Sequence, residues 1–202
     1  MMTNPKTSAI DPTLRELFNA APAPAASSAM PDWAHYEKIG GISLFKGTHE
    51  LQVVAVGNDS PDAILVDTQD CREGQWSRSR WLTILPEEVG GVLQALLQAE
   101  VQLADLSASA PAAWPQLPIL AGEGTSTSGC VRVLVDRYHE RLEVKLSRAD
   151  AAGKSLRNGQ WAKIYPNDIK KAGSLILQAY DRVVESKSEA ESDREDASDL
   201  PF

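Results

Sequence analysis

An internal repeat constrains the fold of this chain more than any other feature of its sequence. Residues 81–86 (WLTILP) are matched 80 positions later by residues 161–166 (WAKIYP), and residues 97–99 (LQA) recur at the same offset as residues 177–179. Self-similarity at a fixed offset indicates two copies of one structural unit. The sequence therefore predicts a duplicated architecture.

Each copy is predicted to end in a helix. Pro86 and Pro166 stand where the helices begin, and proline is tolerated there because its missing N–H would be unpaired anyway. The acidic residues that follow lie at the positive end of the helix dipole. Apolar residues then recur at helical spacing: Val89, Val92, Leu93, Leu96 and Leu97 in the first copy, and Ile169, Ala172, Leu175, Ile176 and Val183 in the second.

Strand-like runs precede each predicted helix. Glycine and Asx residues separate them, as at residues 57–59 and 158–159, and favour hairpin turns. The predicted fold class is therefore α+β, with two β-meander-plus-helix repeats whose antiparallel sheets have helices packed behind them. The predicted strands are residues 42–45, 51–56, 63–66 and 76–85 in the first copy, and 131–135, 142–146 and 161–164 in the second.

Composition predicts unstructured segments around the two copies. Residues 1–35 are rich in Ala, Pro and Ser, and residues 186–202 are acidic without apolar periodicity, so both are predicted to be disordered. The folded domain is predicted over residues 36–185, comprising repeat one (36–103), a linker (104–129) and repeat two (130–185).

Charge is distributed unevenly along the chain. Of the net −8, residues 185–202 contribute −5 and residues 1–35 contribute −1, which leaves −2 for the body. A nearly neutral body can bind phosphates if its bases gather on one face. No apolar run approaches the roughly 18–20 residues that span a bilayer, so no membrane partner is expected. Cys71 and Cys130 lie far apart without CxxC spacing, which favours a reduced cytoplasm over the alternative of a disulfide.

The sequence gives little support for an enzyme. His35, His49 and His139 lack metal-ligand spacing with Cys or carboxylates, and the chain has no GxSxG, phosphate-binding or GxGxxG motif. Asp67 and Asp136 both follow Leu-Val, which indicates acids at strand ends more than a catalytic pair. We expect no catalysis, no cofactor and no metal.

Two short segments resemble the Whirly family of single-stranded DNA-binding proteins, within the wider PUR-like group. Residues 43–51 (SLFKGTHEL) are similar to the family's Lys-Gly strand motif at Lys46-Gly47, although Thr48 or His49 replaces its second lysine. Residues 81–90 resemble its strand-to-helix junction. The resemblance implies single-stranded DNA as a partner, with Lys46 and Gly47 at the DNA-contacting edge. It also implies a homodimer or homotetramer assembled through helices.

The C-terminal segment resembles a different group, the bacterial single-stranded DNA-binding proteins of the OB-fold type. These end in an acidic stretch closing with Asp-x-Pro-Phe, as this chain does. The resemblance implies a bacterial cytoplasm and a tail that recruits DNA-maintenance proteins of the helicase, nuclease or primase class. The residues predicted to bind these partners are Asp196, Asp199, Leu200, Pro201 and Phe202.

Bases and aromatic residues on the strands supply the remaining candidates for nucleic-acid binding. Trp76, Arg78 and Arg80 alternate along one strand and are expected to share a face, whereas Phe45, Trp81 and Trp161 are expected in the core. Base stacking on Trp76 would tolerate any sequence. The other predicted phosphate contacts are Arg132, Lys145, Arg157 and Lys163.

The sequence thus predicts a protein that coats single-stranded DNA without base preference and recruits replication, recombination or repair proteins through its C-terminal tip. Two alternatives stay open at this point. One is an RNA-binding or transcription-regulating protein on the same fold, and the other is a scaffold that binds only proteins.

Overall fold

The computed structural model describes residues 10–18, 35–44, 47–58, 60–154 and 160–198, except for the side chains of residues 35, 79 and 190–198. The first half contains α1 (Pro12–Phe18), β1 (His35–Leu44), β2 (His49–Gly57), β3 (Ala63–Arg72), β4 (Gln75–Ile84) and α2 (Pro86–Ser107). The second contains β5 (Ile119–Ser126), β6 (Gly129–Tyr138), β7 (Arg141–Asp150), β8 (Trp161–Ile164) and α3 (Ile169–Ser198).

The strands form two four-stranded antiparallel sheets, β1-β2-β3-β4 and β5-β6-β7-β8, each a simple meander followed by a helix. The predicted α+β class with antiparallel sheets is confirmed. Apolar residues of both sheets pack with the helices in one core, while Val54, Val56, Ala63 and Leu65 form a second, smaller cluster in the first sheet.

Each helix packs on the sheet of the other repeat. Helix α2 lies against β5 and β6, and helix α3 lies against β1, β2 and β3. Residues such as Val53 and Leu82 of the first sheet therefore share one hydrophobic core with Val133 and Val144 of the second. Because the helices are exchanged in this way, neither repeat closes its own core.

The linker predicted over residues 104–129 is wrong in its second part, where β5 pairs with β6 along its whole length. Glycines made this segment resemble a linker, but they let the strand approach α2 closely. A Cβ at Gly124 would overlap the Glu88 carbonyl oxygen, and one at Gly91 would lie 2.6 Å from the Glu123 carbonyl oxygen. The first part of the segment holds the end of α2 and a 3-10 turn at Pro111–Ala113.

The N-terminal segment also departs from the prediction of disorder over residues 1–35. Helix α1 packs on α3, and its Phe18 is 1% exposed against Gly173, where a Cβ would overlap the ring. Arg15 Nη2 lies 2.6 Å from Asp181 Oδ1 on α3. The sequence did not predict this short helix, because the segment around it is rich in Ala and Pro. Residues 1–9 and 19–34 lie outside the described residues.

The acidic segment is helical as far as Ser198, where disorder had been predicted from residue 186. The segment lacks an apolar stripe, but Ala, Glu, Lys and Arg are good helix formers and α3 already provides the nucleus. The tip itself, residues 199–202, lies outside the described residues. No described helix is both long enough and apolar enough to span a membrane. Cys71 and Cys130 are free thiols.

Candidate nucleic-acid interface

A β-bulge in β4 decides where the predicted contact residues point. Gln69 pairs with Arg78 while the preceding Thr68 pairs with Arg80, so Ser79 is an extra residue in β4. Neighbouring residues on β3 face opposite sides of the sheet, and their partners Arg78 and Arg80 do likewise. The prediction that Trp76, Arg78 and Arg80 share one face is therefore wrong, because it assumed an unbroken pleat.

Trp76, Arg78 and Trp81 lie on the face of the first sheet that carries Asp67. Trp81 is the cross-strand partner of Asp67, and Arg78 Nε lies 3.0 Å from Asp67 Oδ2. Trp76 is 39% exposed and Trp81 is 38% exposed. The prediction that Trp81 lies in the core is therefore wrong. Trp76 and Trp81 are here called the indole pair, and both are partly exposed to solvent.

Arg78 is held by a buried polar network beneath the indole pair. Its partner Asp67 is fully buried and also accepts a hydrogen bond from Gln69 Nε2 at 3.2 Å. Gln69 donates to Gln52 at 3.2 Å, Gln52 donates to Glu50 at 2.9 Å, and Lys38 donates to Glu50 at 2.9 Å. The guanidinium of Arg78 therefore compensates a buried carboxylate and is a poor candidate for binding phosphate.

Three cations surround the ring of Trp161 where β4 meets β8. Arg80 Cζ lies 3.8 Å from the ring centroid, Lys145 Nζ lies 5.2 Å from it and Lys163 Nζ lies 5.5 Å from it. Lys163 Nζ also lies 4.3 Å from the ring centroid of Tyr138, which is 59% exposed. Cations within about 6 Å of an aromatic face are attracted by its quadrupole. These five residues are here called the junction cluster.

Positive charge is in excess in the junction cluster. Lys145 and Lys163 are direct cross-strand partners, an arrangement that is unfavourable for two like charges. Lys163 is compensated by Glu143, whose carboxylate is buried and whose Oε1 lies 2.6 Å from Lys163 Nζ. Arg80 and Lys145 make no ion pair with any carboxylate among the described residues. Two cations of the cluster thus have no ionic partner in the described part of a chain whose net charge is −8.

The other predicted contact residues lie elsewhere. Arg132 Nε lies 3.6 Å from Glu123 Oε2 on β5, so its charge is partly compensated. Gly47 is exposed in the turn between β1 and β2 and has a φ of 86°, a left-handed conformation that favours glycine. The predicted sites at Lys46, Arg157, Asp199, Leu200, Pro201 and Phe202 fall outside the described residues, as does Phe45; Asp196 lies in α3, with its side chain outside them.

Sequence reasoning missed Trp161 and Tyr138. Trp161 was assigned to the core, but it is only half-buried, and on β8 it alternates with the buried Ala162 and Ile164. That alternation was visible in the sequence and would have placed Trp161 beside Lys163 on the outer face. Tyr138 ends β6 and carries no comparable signal.

The fold and this surface define an α+β protein of two exchanged repeats with a cationic aromatic cluster where its sheets meet. No family model matches the chain, and no curated protein is significantly similar to it in sequence. Among the described residues, no three His, Cys, Asp or Glu side chains are grouped as a metal site would require.

Proposed function

We propose that this chain is a single-stranded DNA-binding protein that coats strands without base preference. The observation that carries the proposal is the junction cluster, where Arg80 and Lys145 gather around Trp161 without a described ionic partner. Placing cations together costs stability unless an anion compensates them. A phosphodiester backbone supplies the anionic charge that would compensate them.

The indole pair supports binding of unpaired bases. Every base offers a π face, so stacking on an exposed indole contributes about 1–3 kcal/mol per base without reading sequence. Bases in a duplex are already stacked and are closed to such rings. Exposed Trp76 and Trp81 on a sheet surface are therefore better suited to single strands than to duplex DNA.

The C-terminal segment supports the second half of the proposal, recruitment of partner proteins. Seven acids and two bases lie within residues 185–202, and the chain closes with Asp199-Leu200-Pro201-Phe202. The phenylalanine supplies a ring for an apolar pocket of a partner protein. The acids before it would steer the tip to basic partners. Helicases, nucleases and primases are the partner class that we propose, with the chain acting as a non-enzymatic homodimer or homotetramer in a bacterial cytoplasm.

Intrinsic tryptophan fluorescence provides the test. The full chain is titrated with oligo-dT at two salt concentrations, alongside oligo-rU and a duplex of the same length. The proposal predicts quenching by oligo-dT and an affinity that falls with salt by a log–log slope of about 0.7 per phosphate neutralised.

Each alternative function predicts a different result in the same titration. Equal affinity for oligo-rU and oligo-dT would favour the RNA-binding alternative. Absence of both quenching and salt dependence would overturn the proposal and favour a protein-only scaffold.

A further inference from the structure

We propose that Trp161 is a positioning residue, which holds Arg80 and Lys145 as a phosphate-binding site and does not itself stack on a base. The inference rests on the proposed function and deepens it. Phosphate contacts are assigned to the junction cluster and base contacts to the indole pair, which lies on the other side of β4.

The first observation is the short distance between Arg80 and the Trp161 ring. A Cζ atom 3.8 Å from the ring centroid is at van der Waals contact, so the guanidinium covers one face of the indole. That face of the ring is closed to a nucleobase. No described carboxylate pairs with Arg80, so its N–H donors are available, and such donors match phosphate oxygens.

Lys145 completes the phosphate site, and Lys163 lies beside it. Lys145 and Lys163 approach the same ring at 5.2 and 5.5 Å, and Lys163 is further fixed by Glu143 and by the ring of Tyr138. Three flexible cations are thereby restrained around one aromatic ring. Restraining them before binding lowers the entropy lost when a phosphate docks.

The bulge in β4 separates this site from the indole pair. Trp76 and Trp81 lie on the face that carries Asp67, whereas Arg80 lies on the opposite face and reaches Trp161 of the second sheet. Strand β4 is at the edge of its sheet. A single strand of DNA that passes over this edge contacts phosphate-binding and base-stacking surfaces in turn.

An abasic oligonucleotide separates the two contributions, because it keeps the phosphates and lacks the bases. Binding of end-labelled oligo-dT and of an abasic deoxyribose-phosphate oligomer of equal length is measured by fluorescence anisotropy over a range of salt concentrations. The full chain is compared with Trp161→Leu and with Trp76→Leu as the matched control. Circular dichroism verifies that each variant is folded.

We expect Trp161→Leu to weaken binding of both probes by the same factor, on the order of tenfold. The log–log slope of affinity against salt should also become less steep, by about 0.7 for each phosphate that is no longer neutralised. Trp76→Leu should weaken oligo-dT alone and leave the salt slope unchanged. If Trp161→Leu weakened only oligo-dT and kept the slope, Trp161 would be a stacking platform and the inference would be overturned.

Arg80→Gln keeps the test decisive if Trp161→Leu does not fold, because Arg80 is exposed. It should weaken both probes equally, and an unchanged affinity for the abasic probe would overturn the inference. Failure of the unaltered chain to bind either probe at low salt would instead overturn the proposed function.

Discussion

At the scale of single residues, the environment of a side chain decides its role more than its type does. Arg78 and Arg80 are two positions apart in one strand, yet one compensates the buried Asp67 and the other stacks on Trp161. Removing an arginine that is paired with a buried carboxylate leaves that charge uncompensated, whereas an arginine without an ionic partner is available to a ligand. Their substitutions should therefore have different consequences.

Arg78→Ala is expected to lower the free energy of unfolding by about 3 kcal/mol, because it leaves the Asp67 carboxylate buried without its cation. Urea denaturation measures this loss. Oligo-dT affinity of the folded variant should change by less than about twofold, equivalent to roughly 0.4 kcal/mol. A stable variant with greatly weakened affinity would show that Arg78 binds DNA after all.

The ionisation of Tyr36 makes stability depend on alkaline pH. Burial, and secondarily the Asp67 carboxylate, raises the pKa of the Tyr36 hydroxyl from 10.0 to about 12. The folded state thus holds this proton more tightly than the unfolded chain does between those pH values. The stabilisation is fully present below pH 10 and is lost as the pH rises through about 12.

Urea midpoints measured between pH ~9 and ~11.5 should fall steadily for the unaltered chain. Tyr36→Phe should show a shallower fall, with the remainder due to Cys130, Tyr165 and Tyr180, whose pKa values are also raised by burial. An identical pH dependence in the two proteins would contradict this assignment.

At the scale of elements, the sequence predicted those with strong local patterns and failed where tertiary packing decides. The repeated strand-proline-helix junctions and seven strands followed from alternation and helical spacing. Strand β5 was not predicted, because its glycines allow close contact with α2 and no local sequence pattern indicates such a contact. The bulge at Ser79 was not predicted from the sequence either, and it places Arg78 and Arg80 on opposite faces of the sheet.

Gly124→Ala tests the close approach of β5 to α2. The new methyl group would overlap the Glu88 carbonyl oxygen, so the free energy of unfolding should fall by about 1–3 kcal/mol. Gly90→Ala is the matched control, since nothing lies within 4 Å of its Cβ position in α2 and alanine favours helices by up to ~1 kcal/mol. Thermal denaturation should order the proteins as Gly90→Ala, unaltered chain, Gly124→Ala, and equal stability of the two variants would contradict the packing account.

At the scale of the whole molecule, exchanged helices and a buried ion pair join the two repeats. Glu88 at the start of α2 is fully buried, accepts a hydrogen bond from Ser126 Oγ at 2.7 Å, and lies 2.9 Å from Arg148 Nη1 on β7. Arg148 also donates to the Thr83 carbonyl oxygen of β4 at 2.9 Å. The sheets are therefore held in the relation that brings Arg80 to Trp161.

Glu88→Gln should destabilise the protein by about 3 kcal/mol, because Arg148 would lose its buried carboxylate. Both sheets should still unfold in one cooperative transition, as a shared core requires. Urea denaturation followed by circular dichroism and by tryptophan fluorescence measures both expectations. Separate transitions for the two probes would show that the repeats are independent.

The salt dependence of oligo-dT binding tests the central claim, that the junction cluster binds the backbone of single-stranded DNA. The double variant Arg80→Gln/Lys145→Gln is compared with Lys170→Gln/Lys171→Gln, which removes the same charge from α3. The first should weaken binding and make the log–log slope less steep by about 1.4, the equivalent of two phosphates, while the second should leave the slope unchanged. Equal slopes and affinities for both variants and the unaltered chain would contradict the account.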